Sequence, residues 1–246
     1  MNLLLFEQNE LAGSRLRLDD RRAHHILDIL GLEKGDTLRV GMLNGKIGQG
    51  EVVHVEGRSV ELDVLLTTLP PDVPEIELIL ALPRPIMLQR IVKQATVLGV
   101  RRFHLIRSRR VQKSFFQTNL LRPDRLKEIL MQGLEQAMDT RMPEVMVHER
   151  FKPFIEDVVD TLKPSSRLLA HPDEAGSLPD LYRENRVRDG IVLAVGPEGG
   201  WNNYEIECFR EHGFHCFSMG SRILHVDTAV IVLLAQLLLL QDLRKR

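Results

Sequence analysis

The chain has 246 residues, of which 43% are hydrophobic and 27% charged, and its formal net charge at pH 7 is −1. This length allows one or two domains with a sizeable core, and the composition is typical of a soluble globular protein. The near-neutral charge excludes a uniformly basic nucleic-acid-binding protein. The two cysteines, Cys208 and Cys216, form neither a disulfide framework nor a zinc pattern and fit a reducing compartment.

The first part of the chain, residues 1–72, is predicted to form a small β-barrel. Short alternating runs with β-branched residues predict strands at 37–43, 50–57 and 59–66. One helix is expected at 20–30, before Gly31. The stretch "LPPDVP" that follows carries three prolines and is the best candidate for a linker between two domains.

The second part, residues 73–246, alternates predicted strands and helices. The strands are predicted at 76–82, 102–106, 144–148, 167–171, 191–195 and 214–219. The helices are predicted at 86–98, 123–138, 151–162, 178–184, 203–212 and from 226 onward. This alternation favours an α/β fold with a mostly parallel sheet and helices on both faces.

The C-terminal helix is apolar on all sides between Ala229 and Leu240, about twelve residues, whereas a membrane span needs roughly twenty. We therefore expect a buried helix or one at a subunit interface, and no membrane association. No signal-peptide pattern opens the chain, which favours a cytoplasmic protein.

A long stretch without acidic residues runs from Leu78 to Pro123 and holds ten lysines and arginines. Its segment "RSRRVQKSFF" places two aromatic residues beside a basic cluster. Basic groups neutralise phosphates and aromatic rings stack on bases, so the stretch indicates nucleic-acid contact. A solvated helix face followed by a loop is the alternative.

A first glycine loop, "LAVGPEGGWNNYE", follows a buried strand and precedes a helix. This is where open α/β sheets bind ligands, although a tight structural turn is the alternative. Asn202 and Glu205 form a plausible capping box that uses the free N–H groups of the helix. The capping box, the carboxylate of Glu198 and the missing phosphate-loop lysine all argue against a bound phosphate, so an uncharged or cationic ligand is favoured.

A second glycine loop, "SMGSRILHVDTAV", follows the next strand and leads into the last helix. Two glycine loops at consecutive strand ends indicate a shared pocket. The adjacent pair His24 and His25 points in different directions on a helix, and neither a metal-ligand pattern nor a nucleophile elbow occurs, so we predict no metal.

These loops resemble the RsmE family of 16S ribosomal RNA uridine N3-methyltransferases, which belongs to the SPOUT class. The resemblance is carried by "VGPEGGW" and "MGSRILHVDTAV", with support from "ALPR", "VKQATVLGV", "LEQAMDTR" and "HHILDILGLEKGD", and it spans nearly the whole chain. It implies a PUA-like RNA-binding barrel over 1–72 and a methyltransferase domain over 73–246 with a C-terminal trefoil knot. It also implies a homodimer through the last helix.

The resemblance assigns S-adenosylmethionine as the cofactor and 16S ribosomal RNA, or the small ribosomal subunit, as the partner. The residues implied for cofactor binding are Ala170, His171, Val195, Gly196, Gly199, Gly200, Met219, Gly220, Ile223 and Leu224. Arg222 and Glu198 are the catalytic candidates, Arg222 for stabilising charge on the uracil oxygens and Glu198 for positioning. The residues expected to contact RNA are Arg84, Arg107, Arg109, Arg110 and Lys113.

The chain departs from the family pattern at positions that could face RNA. Arg84-Pro85 follows Pro83, Ala137 stands in "EQA", with its arginine displaced to Arg141, and "HVD" occupies 225–227. Asp227 or His225 could assist loss of the uracil N3 proton, but the sequence assigns no general base. A methyltransferase of the same fold for another RNA site, or a non-catalytic RNA-binding or ribosome-assembly protein, remains an alternative.

Overall fold

A computed structural model describes residues 2–72, 74–163, 166–172 and 176–245. The chain divides into two compact units, one of Met1–Asp72 with Met131–Met142 and one of Val73–Leu130 with Pro143–Arg246. The proline-rich stretch lies at this division. The return of Met131–Met142 to the first unit is a tertiary feature that the linker position does not indicate.

The first unit is built on a six-stranded mixed sheet in the order β1-β4-β5-β6-β3-β2. Its strands are β1 (Leu4–Phe6), β2 (Leu11–Ala12), β3 (Arg15–Leu18), β4 (Thr37–Met42), β5 (Ile47–Glu56) and β6 (Ser59–Thr68). The pair β1–β4 is parallel and the other pairs are antiparallel. Alternate residues of β3 and β6 point inward to a core with Leu4, Phe6 and Val40.

Three strands of this sheet were not predicted. β1 is a run of three apolar residues, all buried, which gives no alternation to detect. β3 does alternate between arginine and leucine, as "RLRL", although no strand was predicted there. The predicted helix at 20–30 is present as α1 (Arg21–His24), which continues as a π-helix over His25–Ile29.

The second unit contains a six-stranded sheet, β12-β10-β11-β7-β8-β9, in which every described pairing is parallel. The strands are β7 (Ile76–Ala81), β8 (Val100–Ile106), β9 (Glu144–His148), β10 (Ser166–Ala170), β11 (Ile191–Val195) and β12 (His215–Phe217). β7 and β11 are buried along their whole length, as central parallel strands are. The predicted α/β fold is therefore confirmed.

The helices lie close to their predicted positions. They are α2 (Pro85–Val97), α3 (Pro123–Ala137), α4 (Phe151–Pro153), α5 (Leu178–Arg183), α6 (Asn203–Glu211) and α7 (Val226–Arg244). The helix predicted at 151–162 is wrong as one continuous α-helix. α4 passes into a π-helix over Phe154–Val158 and a 3-10 turn over Val159–Thr161, and periodicity of apolar residues does not distinguish these helix types.

Candidate functional site

Three neighbouring strands end at the same level and create one pocket. Ala170, the last residue of β10, pairs with Val195 of β11 on one side and with Phe217 of β12 on the other. The backbone N–H of His171 donates to the carbonyl of Phe217 at 2.9 Å, which extends this alignment by one residue. The loops that leave these strands therefore face one another at the C-terminal edge of the sheet, where parallel sheets bind ligands.

Both glycine loops line this pocket, together with the start of α7. The lining residues are Ala170, His171, Pro172, Val195, Gly196, Pro197, Glu198, Gly200, Trp201, Phe217, Met219, Gly220, Arg222, Ile223, Leu224, Val226, Ala229 and Leu233. All residues predicted for cofactor binding or catalysis lie in this set except Gly199. A Cβ at Gly199 would instead meet the side chain of Arg110, 3.0 Å from its Cδ.

Of the described lining residues, seven were not named from the sequence as cofactor-binding or catalytic residues. They are Pro172, Pro197, Trp201, Phe217, Val226, Ala229 and Leu233. Pro172 and Trp201 directly follow predicted residues, and Pro197 lies between two of them, whereas Phe217 lies two positions before Met219, at the end of β12. The residues of α7 share one helical face, but α7 is apolar on all sides and no sequence pattern marks that face.

The indole of Trp201 packs tightly against the first glycine of the loop. A Cβ placed on Gly196 would lie 3.1 Å from Nε1 of Trp201 and within 3.3 Å of two further ring atoms. Gly200 has a φ of 73°, which favours glycine and turns the chain toward Trp201. Among the described residues, the buried Nε1 of Trp201 has no hydrogen-bond partner. A buried indole N–H without a partner is an unsatisfied donor, and such groups normally pair with protein, water or a ligand.

The start of α6 is closed by its own side chains. The Oδ1 of Asn202 accepts a hydrogen bond from the N–H of Glu205 at 2.9 Å, and Glu205 Oε2 accepts one from the N–H of Asn202 at 3.0 Å. The predicted capping box is thus confirmed. These groups are not available to a phosphate, in agreement with the expectation of an uncharged or cationic ligand.

Within the described part of the chain, Glu198 is the only carboxylate that lines the pocket, and its side chain is 32% exposed. Its Oε1 lies 4.0 Å from Nε of Arg84. Asp227 does not line the pocket; its carboxylate lies 3.8 Å from Nη1 of Arg90 on α2 and accepts the N–H of Thr228. The described wall of the pocket therefore combines apolar residues with the acidic side chain of Glu198 and the basic side chain of Arg222.

The basic block of the sequence does not form one free surface. Arg102 is paired with Glu75, Glu77 and Glu144 at the sheet, and Arg110 donates to the carbonyl of Gly199. Arg107 and Arg109 line a separate groove, and Lys113 is exposed at the start of a 3-10 helix, Lys113–Gln117. Arg84 lies near Glu198, so two of the five predicted RNA-contact residues, Arg84 and Arg110, adjoin the first glycine loop.

Comparisons with known proteins point to one family. A family model described as an RNA methyltransferase domain matches residues 70–238. The ribosomal RNA small subunit methyltransferase E of Treponema pallidum is 30% identical over 232 residues, which cover 93% of this chain and 87% of that protein. The protein of the same name from Synechocystis is 28% identical and covers 95% of this chain and 76% of its own length.

Solved structures share the fold. That of a ribosomal RNA small subunit methyltransferase E from Neisseria gonorrhoeae, bound to S-adenosyl methionine, has a TM-score of 0.77 at 23% identity and covers 98% of both chains. A methyltransferase from Legionella pneumophila with bound cofactor has a TM-score of 0.75 at 21% identity, over 96% of both chains. The family model matches residues 70–238, and the Treponema protein matches nearly the whole chain. This chain therefore belongs to the ribosomal RNA small subunit methyltransferase E family, RsmE, as its glycine loops predicted.

Proposed function

We propose that this protein transfers a methyl group from S-adenosylmethionine to N3 of a uridine in 16S ribosomal RNA. The observation that carries the proposal is the convergence of both glycine loops on one pocket that holds Glu198 and Arg222. The names of the relatives support ribosomal RNA of the small subunit as the substrate. Uridine N3 is the finer part of the proposal and rests on the family resemblance.

The chemistry of the pocket fits the cofactor. Strand ends and loops present backbone N–H and C=O groups, which suit an adenine ring, and the side chains of Phe217, Leu224 and Leu233 suit its apolar faces. When bound, S-adenosylmethionine supplies a methyl group already activated on a sulfonium. The carboxylate of Glu198 favours that positive charge, and the unpaired Nε1–H of Trp201 offers a hydrogen bond.

The pocket has room for only part of such a ligand. Its volume is about 130 Å³, below the roughly 300–1,000 Å³ usual for small-molecule sites. A nucleoside-sized ligand must therefore displace part of the wall. Gly220, Arg222 and Ile223 form an exposed stretch of that wall, and Ile223 is 88% exposed. We propose that this segment moves outward to admit the cofactor and then covers it.

Arg222 and Glu198 are the proposed catalytic residues. Arg222 would stabilise the negative charge that develops on the uracil oxygens when N3 loses its proton. Glu198, held near Arg84, would position the base or the cofactor. The pairing of Asp227 with Arg90 argues against Asp227 as the proton acceptor, and we assign no general base.

The finer architecture is part of the proposal. β12 lies at one edge of the sheet, yet α7, which follows it, contacts α2, the connection between β7 and β8. The segment 218–225 must therefore pass across the ends of β10 and β11, which supports a trefoil knot in this region. We also propose a PUA-like, RNA-binding role for residues 1–72, a methyltransferase domain over 73–246, and RNA contacts at Arg84, Arg107, Arg109, Arg110 and Lys113.

We propose that the protein is a cytoplasmic homodimer formed through α7. By length and composition α7 could cross a membrane, but a third of its most apolar window is already buried within this chain. Leu239 and Leu243 remain exposed on it. A second copy of the chain would cover these side chains in water.

The experiment is incubation of the protein and labelled S-adenosylmethionine with small ribosomal subunits that lack the modification, followed by mapping of the labelled nucleoside. We expect label at one uridine, as N3-methyluridine, and labelling slower by about 10²- to 10³-fold with Arg222→Ala. Protein-free 16S ribosomal RNA in a parallel reaction tells which form is the substrate. Label on another base would contradict the uridine assignment, and no cofactor binding at millimolar concentration would indicate a non-catalytic RNA-binding protein.

A further inference from the structure

A second concave surface lies at the ends of β8 and β9 and at the start of α6. We call it the α6 groove; it has a volume of about 450 Å³. Its lining residues are Arg107, Ser108, Arg109, Glu149, Arg150, Phe151, Lys152, Asn202, Tyr204 and Glu205. It shares no lining residue with the cofactor pocket, but Asn202 directly follows Trp201, which lines that pocket.

The α6 groove is basic, and its basic groups are available to an anion. In the part of the chain that the structure describes, the guanidinium groups of Arg107, Arg109 and Arg150 have no ion-pair or hydrogen-bond partner, although each could bind a phosphate oxygen. Lys152 lies 3.5 Å from Glu156, and both side chains are largely exposed, so this pair is weak.

The α6 groove also contains two carboxylates, Glu205 and Glu149, which offset its positive charge to different extents. Glu205 is buried, and its oxygens accept the N–H groups of Arg109 at 2.7 Å and Asn202 at 3.0 Å. Its charge is thereby partly neutralised by backbone dipoles. Glu149 is exposed and can turn toward solvent.

Ser108 provides an independent sign of a ligand. It lines the groove with only 2% of its surface exposed, and its hydroxyl has no hydrogen-bond partner among the described residues. A buried hydroxyl without a partner costs about 1–3 kcal/mol, so such groups normally have one. An oxygen of a bound phosphate would accept this hydrogen bond.

Two aromatic rings complete the groove. Tyr204 is 58% exposed, and its ring meets that of Phe151 edge to face, with centroids 6.3 Å apart. An exposed ring held in place by a second ring is a platform on which an unpaired base can stack.

We propose that the α6 groove binds a nucleotide of the RNA strand that flanks the modified base. The phosphate would contact Arg107, Arg150 and the Ser108 hydroxyl, and the base would stack on Tyr204. This inference rests on the proposed function, because it takes RNA as the ligand. The proposed RNA surface thereby gains a wall formed by the segment 149–152. This segment lies outside the acid-free stretch from which the sequence predicted RNA contacts.

The test compares RNA binding by the wild type and the double variant Arg107→Gln/Arg150→Gln, with protein-free 16S ribosomal RNA as the probe. We expect the affinity for RNA to fall about tenfold or more. The plot of the logarithm of the binding constant against the logarithm of the salt concentration should become less steep by about 1 to 1.5, because two arginine–phosphate contacts are lost. Calorimetric titration with S-adenosylmethionine should give an unchanged affinity, which shows that the variant is folded.

Two further variants sharpen the test. Arg125→Gln removes one charge from an exposed arginine that pairs with Glu128, and it should bind RNA as the wild type does. Ser108→Ala should weaken RNA binding about threefold or more without lowering the stability of the free protein, because the hydroxyl has no partner to lose.

The outcomes separate the two proposals. If the wild type binds and methylates RNA and the double variant binds it with equal affinity and salt slope, the α6 groove is not an RNA site. If the wild type neither binds nor methylates RNA, the proposed function itself is wrong, and the RNA ligand of the groove with it. If the double variant binds RNA more weakly but binds S-adenosylmethionine with unchanged affinity, both the proposed function and the RNA site in the α6 groove are supported.

Discussion

The carboxylate of Glu205 accepts a hydrogen bond from the backbone N–H of Arg109 at 2.7 Å, across 96 positions of the chain. Its other oxygen closes the capping box with Asn202. One buried side chain thus fastens the basic loop after β8 to the glycine loop after β11. The contact from Arg110 to the carbonyl of Gly199 joins the same two loops. The loop proposed to contact RNA is therefore held directly against the loop that lines the cofactor pocket.

Replacing Glu205 should loosen both loops. Glu205→Ala removes the acceptor for two N–H groups, and we expect the free energy of unfolding to fall by about 2–3 kcal/mol. Urea unfolding measures this change. Glu207→Ala on the same helix removes only an exposed pair with Arg210 and should cost less than about 0.5 kcal/mol. Equal effects of the two variants would show that the bond to Arg109 adds no stability.

Two of the three glycines in the first loop, Gly196 and Gly199, should differ in their tolerance of a methyl group. Gly196→Ala must shift the Trp201 ring in the pocket wall by a few tenths of an ångström, because its Cβ would lie 3.1 Å from Nε1. We expect cofactor affinity to fall about tenfold, equivalent to about 1.4 kcal/mol. Gly199→Ala meets only the flexible side chain of Arg110 and should have a smaller effect. Calorimetric titration with S-adenosylmethionine compares them, and the reverse order would contradict the proposed wall.

Replacing Arg222 should lower the rate of methyl transfer more than it lowers the affinity for the cofactor. If it stabilises charge that develops only in the transition state, Arg222→Ala should lower kcat by about 10²- to 10³-fold. The Kd for S-adenosylmethionine should change by less than about threefold, since that contact is not made in the ground state. Turnover equal to that of the wild type would remove Arg222 from the mechanism.

A pair of histidines, of which His104 is buried and His148 half-buried, should make stability depend on pH. Nε2 of His148 lies 3.2 Å from Nδ1 of His104, whose Nε2 lies 3.2 Å from Glu77. Burial and the neighbouring His104 lower the pKa of His148 from 6.5 to about 4. The folded protein therefore favours neutral His148, and its contribution to stability is complete above pH 6.5 and is lost as pH falls toward 4.

The measurement is the free energy of unfolding at pH 7 and pH 5. After allowance for partial exposure, we expect His148 to contribute a decrease of about 1–2 kcal/mol over this interval. His148→Gln should flatten the dependence, whereas His54→Gln, at an exposed position of β5, should leave it unchanged. The pKa of Glu77 is also lowered, despite its burial, by His104 and Arg102, so its contribution is lost only below pH 4.5. An unchanged slope in His148→Gln would contradict this assignment.

The exposed apolar face of α7 should carry the dimer contact. Leu239 is 59% exposed, and Leu239→Arg would place a charge in that contact, so we expect a monomer by light scattering after size exclusion. Leu65→Arg, at a similarly exposed leucine of β6, should leave the oligomeric state unchanged. A wild-type monomer, or a dimer that survives Leu239→Arg, would contradict the proposed interface.

Several features could be predicted from local sequence because they are local in origin. The strands of the second unit, the capping box of Asn202 and Glu205, and the two glycine loops each depend on residues within about a dozen positions. The family could be predicted for the same reason, since "VGPEGGW" and "MGSRILHVDTAV" are contiguous. β1 was missed because a three-residue apolar run carries no period.

The sequence by itself determined the α/β pattern, the family and most of the residues that line the pocket. Only the tertiary structure decided that Ala170, Val195 and Phe217 end side by side. Only the tertiary structure shows that Gly199 lies outside the pocket and that Arg102 pairs with Glu77 of the sheet. Likewise, only the tertiary structure brings 149–152 and 107–109 together in the α6 groove. The reason is physical: strand order and side-chain pairing are set by burial and hydrogen bonds between residues far apart in the chain, and no local period encodes which distant partner a strand or a charge will meet.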